Sequence, residues 1–72
     1  MKISPLTLER ANKFKLTKRQ LEIALSLSKG KGLKEIASDF NVSMRSIVYH
    51  CEQVRIKVGT PNTLSAVVKL LS

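Results

Sequence analysis

Arg45, Val48, Tyr49 and Glu52 are spaced i, i+3, i+4 and i+7 in the stretch SMRSIVYHCE. On a helix that spacing makes a single stripe. The four side chains match features of base edges. A guanidinium fork fits the O6 and N7 acceptors of guanine, apolar side chains pack on the thymine methyl, and a carboxylate accepts from the cytosine N4 amine. A solvent-facing stripe with no binding role rarely carries a Val-Tyr pair, so a recognition surface is the favoured reading. Around it stand hydroxyls and cations suited to phosphate oxygens: Lys34, Ser43, Ser46 and Arg55, then Lys18 and Lys31. Arg19 and Lys29 are weaker candidates, and any one lysine can equally be an ordinary solvated side chain.

The bulk of the chain agrees with a polyanionic partner. Seventy-two residues hold 13 Lys and Arg against 5 Asp and Glu, a net charge of +8. Between positions 13 and 34 the basic residues Lys13, Lys15, Lys18, Arg19, Lys29, Lys31 and Lys34 meet only Glu22. Nucleic acid is the commonest partner of such a field, and anionic membrane the next. No apolar run approaches the ~20 residues of a membrane span. The start MKISPL lacks the apolar core of a signal peptide. Cys51, the only cysteine, can form no internal disulfide and suits a reducing compartment. A cytoplasmic, nucleoid-associated protein is expected. His50 and the scattered carboxylates form no acid–base pair or metal-ligand cluster, and GKG is not a phosphate loop. Neither enzyme activity, nor a metal, nor a cofactor is expected.

The stripe must be carried by a helix, and helix signals dominate. The chain is 43% hydrophobic with few aromatics, which favours an all-α fold of one domain. Ser4-Pro5 reads as a cap and first position of a short helix within an N-terminal arm or linker, residues 1–15. Thr17-Lys18-Arg19-Gln20 is a capping box opening a helix whose inward stripe is Ile23, Ala24 and Leu27, ending at Gly30-Lys31-Gly32. A short helix spans residues 33–40, with Ile36, Ala37 and Phe40 on one face, and Asn41 ends it in the left-handed conformation. Ser43 caps the helix of the stripe, which turns Ile47, Cys51, Val54 and Val58 inward and closes at Gly59. Thr60-Pro61 is expected to start a last helix with a core stripe of Leu64, Val67, Val68 and Leu71. Short helix, tight turn and longer helix is the layout of a helix-turn-helix, whose second helix enters the major groove.

From Leu16 onward the chain resembles the LuxR-type (GerE-like) helix-turn-helix domain of bacterial transcription regulators. The family opens L-T-x-R-E, here LTKRQ, and runs through an apolar helix to a glycine, here IALSLSKG. Its K-E-I-A is matched in full by Lys34, Glu35, Ile36 and Ala37. Its I-S-x-x-T-V-K-x-H is VSMRSIVYH here, and its closing K-L-G is Lys57-Val58-Gly59. The spacings run without a gap. Three positions depart: Val48 replaces the family lysine, Gln53 the asparagine of H-x-x-N, and Thr63 an arginine at the start of the last helix.

The resemblance implies a small four-helix DNA-binding domain over residues 16–72, with the short N-terminal helix as an addition. It also implies double-stranded DNA as partner, a homodimer through the last helix, and RNA polymerase or another regulator as further partners. On that helix the expected dimer contact is Thr63, Ala66 and Leu70, which the predicted core stripe leaves on another side. The alternative is a protein-interaction module on the same fold that modulates another regulator without reading DNA. One further expectation concerns Leu21 and Leu25, a second apolar stripe too far round the helix to share the first core. The arm is expected to fold back and cover them with Leu6, Leu8 or Phe14.

Overall fold

Four of the five helices among the described residues begin where a side-chain oxygen reaches a backbone N–H left free in the first turn, and the other follows Gly32, which has no side chain to cap it. A computed structural model describes residues 3–71. Met1, Lys2 and Ser72, which belong to the expected arm and last helix, lie outside the described residues. Helix α1, Pro5–Lys13, starts after Ser4, whose hydroxyl accepts from the Thr7 N–H at 3.1 Å. Helix α2, Lys18–Ser28, starts with the full capping box: Thr17 accepts from the Gln20 N–H, and Gln20 from the Thr17 N–H, each at 3.1 Å. Helix α3, Leu33–Phe40, ends at Asn41 with φ 56°. Helix α4, Met44–Val58, is capped by Ser43, which accepts from the Ser46 N–H at 3.1 Å, and stops at Gly59 with φ 81°. Helix α5 is Thr63–Leu71, and the described residues contain no strand.

The start of α5 differs from expectation. Thr60 is still part of the closing turn of α4, its N–H bonded to the Arg55 carbonyl at 3.1 Å. Its hydroxyl donates to the Asn62 carbonyl at 3.0 Å and does not cap the next helix. Asn62 does so instead, its Oδ1 accepting from the Ser65 N–H at 2.8 Å.

The face that α5 buries also differs. Ala66, Val67 and Leu70 are in the core, with Ala66 and Leu70 at 0% exposure, while Leu64 is 74% and Val68 57% exposed. Two overlapping stripes on this helix satisfy the same periodicity, and packing against α1, α2 and α4 selects the one with the small alanine. Ala66 and Leu70 are thus corrected from dimer contacts to core residues, and only Thr63 of that set keeps part of its surface.

Three apolar clusters join the helices. Ile23, Ile36, Ala37, Ile47 and Cys51 fix α3 and α4 onto α2. Val54, Val58 and Ala66 fix α5 onto α4. Ala11, Leu21, Ala24, Leu25, Val67 and Leu70 bring α1, α2 and α5 together. The arm does fold back over Leu21 and Leu25, but through Ala11, with Ile3 and Phe14 at the margin. Leu6 and Leu8 stay largely exposed. The arm being helical explains the swap: Thr7, Ala11 and Phe14 lie at i, i+4 and i+7, and Leu6 and Leu8 flank that line. Lys57 secures the link to α2, donating to the Lys15 carbonyl at 3.0 Å and to Gln20 Oε1 at 2.8 Å.

Candidate functional site

The α3–turn–α4 unit is held rigidly from beneath. Asn41 in the left-handed region lets the Val42 N–H return to the Ala37 carbonyl at 3.0 Å, so the turn needs only two residues before the Ser43 cap. Ile47 and Ile36, both fully buried, set the rotation of α4 about its axis. With Ile47, Cys51, Val54 and Val58 inward, the opposite face presents Arg45, Tyr49, Glu52 and Ile56, and Val48 lies at its flank. All four residues of the expected stripe, Arg45, Val48, Tyr49 and Glu52, are therefore exposed together on one helix.

The polar members are not equally available. Arg45 is exposed and extends from the first turn of α4. Glu52 instead forms an ion pair with Arg55 one turn on, and Arg55 also donates to the Thr60 carbonyl at 3.4 Å. Ser43 uses its oxygen as an acceptor in the cap, leaving its O–H free to donate, and Ser46 is half-buried. Lys34 is exposed in the first turn of α3 and Lys18 in the first turn of α2. Lys31 is tied to Asp39 at 2.6 Å, and that hydrogen-bonded carboxylate raises its pKa above the ordinary lysine value. Arg19 lies over the Phe40 ring at 4.6 Å, which holds its charge beside the end of α3.

His50 is half-buried, edge-on to Tyr49 with ring centroids 5.7 Å apart, and its buried Nδ1 has no hydrogen-bond partner among the described residues. Cys51 is in the core, and burial pushes its thiol pKa up. Among the described residues no three His, Cys, Asp or Glu side chains converge as metal ligands, and no helix is long and apolar enough to cross a membrane.

Ile56, 55% exposed, extends the outer face of α4 toward its C-terminal end. Met44 lies in register with Ile47 and Cys51 and is 47% exposed at the first position of the helix. The exposed pair Leu64 and Val68 on α5 was not part of the expected surface. Together with Val48, Glu52, Val67 and Leu71 they line an open groove of about 650 Å³ between α4 and α5.

Residues 15–70 match the family model described as bacterial regulatory proteins, luxR family (GerE). No curated protein and no solved structure matches the chain.

Proposed function

Because the chain belongs to the luxR family of bacterial regulatory proteins, DNA-binding helix-turn-helix domains and not a family of enzymes, we propose that it regulates transcription by binding specific sites in double-stranded DNA. The observation that carries this reading is the outer face of α4, where Arg45, Val48 and Tyr49 stand exposed behind a capped, left-handed turn, with Glu52 beside them. That helix enters the major groove, and residues 16–72 form the binding unit with α1 as its support. Lys34, Ser43, Ser46 and Arg55, with Lys18 and Lys31 farther out, contact phosphates and set the register. Lys31 reaches a phosphate only by exchanging Asp39 for it.

The regulator pairs as a homodimer through α5 on a two-part site in the cytoplasm, at the nucleoid. Leu64 and Val68, one turn apart and exposed, with Thr63 at the start of the same helix, are the contact this reading uses. RNA polymerase or a second regulator is the downstream partner. The test is a salt-titrated binding assay on mixed-sequence duplexes, followed by selection from a random pool. Enrichment of one sequence, with log K falling by about 0.9 per phosphate contact in log salt, supports the proposal. Salt-dependent binding with no enriched sequence rejects specific recognition.

The groove between α4 and α5 favours a second reading. Its walls share Val48 and Glu52 with the probe face and are otherwise mainly apolar. A protein helix seated there would displace DNA, as a module modulating another regulator would require. No measurable duplex binding at low salt, together with a stable protein complex, would select this reading.

A further inference from the structure

Read as a DNA probe, α4 is chemically one-sided. Its outer face shows Tyr49 at 60% and Ile56 at 55% exposure, and Val48 at the flank is 47% exposed. The only carboxylate on that face, Glu52, is held by Arg55, and Arg55 is drawn back to the Thr60 carbonyl at the end of the helix. Arg45 is left as the one cation of the first two turns of α4. Of all the groups that base pairs present in the major groove, only the C5-methyl of thymine is apolar. An apolar side chain pressed against a polar base edge leaves that edge desolvated and unpaired, which is costly. Against a methyl group it loses nothing and buries apolar surface.

We propose that α4 specifies its half-site chiefly through thymine C5-methyl groups, with Val48 and Tyr49 as the specificity-determining residues and Arg45 supplying a single guanine contact. Glu52 serves as the brace of Arg55 and not as a reader of cytosine. This inference rests on the reading of α4 as the major-groove helix, and it adds which base feature that helix selects. Val48 and Tyr49 are consecutive residues about 100° apart around the helix, Tyr49 on the outer face and Val48 at its flank, so each meets a different methyl group. The half-site accordingly holds two thymines read through their methyl groups and one guanine.

The test uses the full 72-residue chain. A site is first enriched from a random duplex pool. Each thymine in it is then replaced singly by deoxyuridine, which keeps every hydrogen-bonding group and removes only the methyl. We expect a loss of about fourfold at each of two positions, the effect of returning one methyl group to water, and none elsewhere. In Val48→Ala the deoxyuridine penalty should vanish at one of the two positions and persist at the other. Tyr49→Ala should show the reverse. Neither residue is in the buried clusters, so an unchanged melting temperature separates this readout from a folding defect. At the same positions 5-methylcytosine should bind more tightly than cytosine. An enriched site that is indifferent to deoxyuridine, or 5-methylcytosine no better than cytosine, overturns the methyl reading while leaving DNA recognition intact. A pool from which nothing is enriched overturns both.

Discussion

At position 45 the geometry favours a guanidinium that is exposed, first-turn and aimed outward. Replacing Arg45 by Ala should weaken specific binding by about 1–3 kcal/mol and relax preference at one base pair. A selection assay returning the wild-type preference would remove Arg45 from the reading set. Position 48 makes the complementary case. Val48→Lys adds a second cation to the first two turns of α4, beside Arg45, so binding should tighten and the salt slope steepen by about one unit, while preference at the base it meets falls away. An unchanged slope would mean that this flank of α4 stays clear of the backbone. Cys51 shows how burial governs reactivity. Its thiol is in the core with a raised pKa, so the thiolate that reacts is scarce near neutral pH. An alkylating reagent should modify it slowly in the folded chain and at the free-thiol rate in denaturant. Equal rates in both would show that the α2–α3–α4 cluster opens readily.

Most helix starts and stops were legible in the sequence because they rest on a local bond. Ser4, Thr17 with Gln20, and Ser43 each reach a backbone N–H three residues on, and Asn41 and Gly59 each take the left-handed turn. The same logic failed at Thr60-Pro61, because a threonine before a proline is an equally good local signal, whereas in the fold Thr60 closes α4 and turns its hydroxyl to the Asn62 carbonyl. Asn62→Ala should therefore cost about 1 kcal/mol of stability, and Thr60→Ala less, as measured by denaturant midpoint. A larger loss at Thr60 would restore it as the cap. The inward face of α4 was legible because it has only one complete apolar stripe. That of α5 was not, since Leu64, Val67, Val68 and Leu71 compete with Ala66, Val67 and Leu70, and tertiary packing makes the choice. The ion pair that occupies Glu52 was equally beyond a wheel that treats each side chain alone. The corrected face changes what a mutation on α5 should do. Leu70→Glu should unfold the domain, burying a charge at a fully enclosed site. Leu64→Glu should spare folding and half-site binding, and reduce cooperativity on a two-part site. Equal losses on one and two half-sites would show that α5 makes no contact between copies.

Across the whole molecule the N-terminal helix is part of the core. Ala11 sits in the cluster with Leu21, Leu25, Val67 and Leu70, and Arg10 reaches the Leu70 carbonyl at 3.4 Å. Burying the two leucines is worth about 3–6 kcal/mol at most, less the entropy of ordering the arm. Removing residues 1–13 should lower the melting temperature. A melting temperature that holds, with self-association appearing, would instead identify the uncovered leucines as an interface.

The bond between Arg10 and Leu70 spans 60 residues of sequence, whereas most helical contacts close over short loops. That one long closure sets the order of events during synthesis. Helices α1 and α2 leave the ribosome with Ala11, Leu21, Ala24 and Leu25 unsealed, and the residues that seal them, Val67 and Leu70, are translated well after them. A nascent chain halted before α5 should thus expose this apolar surface to chaperones and proteases. Protection should arrive in a single step as α5 emerges, and the cluster of Val54, Val58 and Ala66 that holds the end of the probe helix closes at the same time.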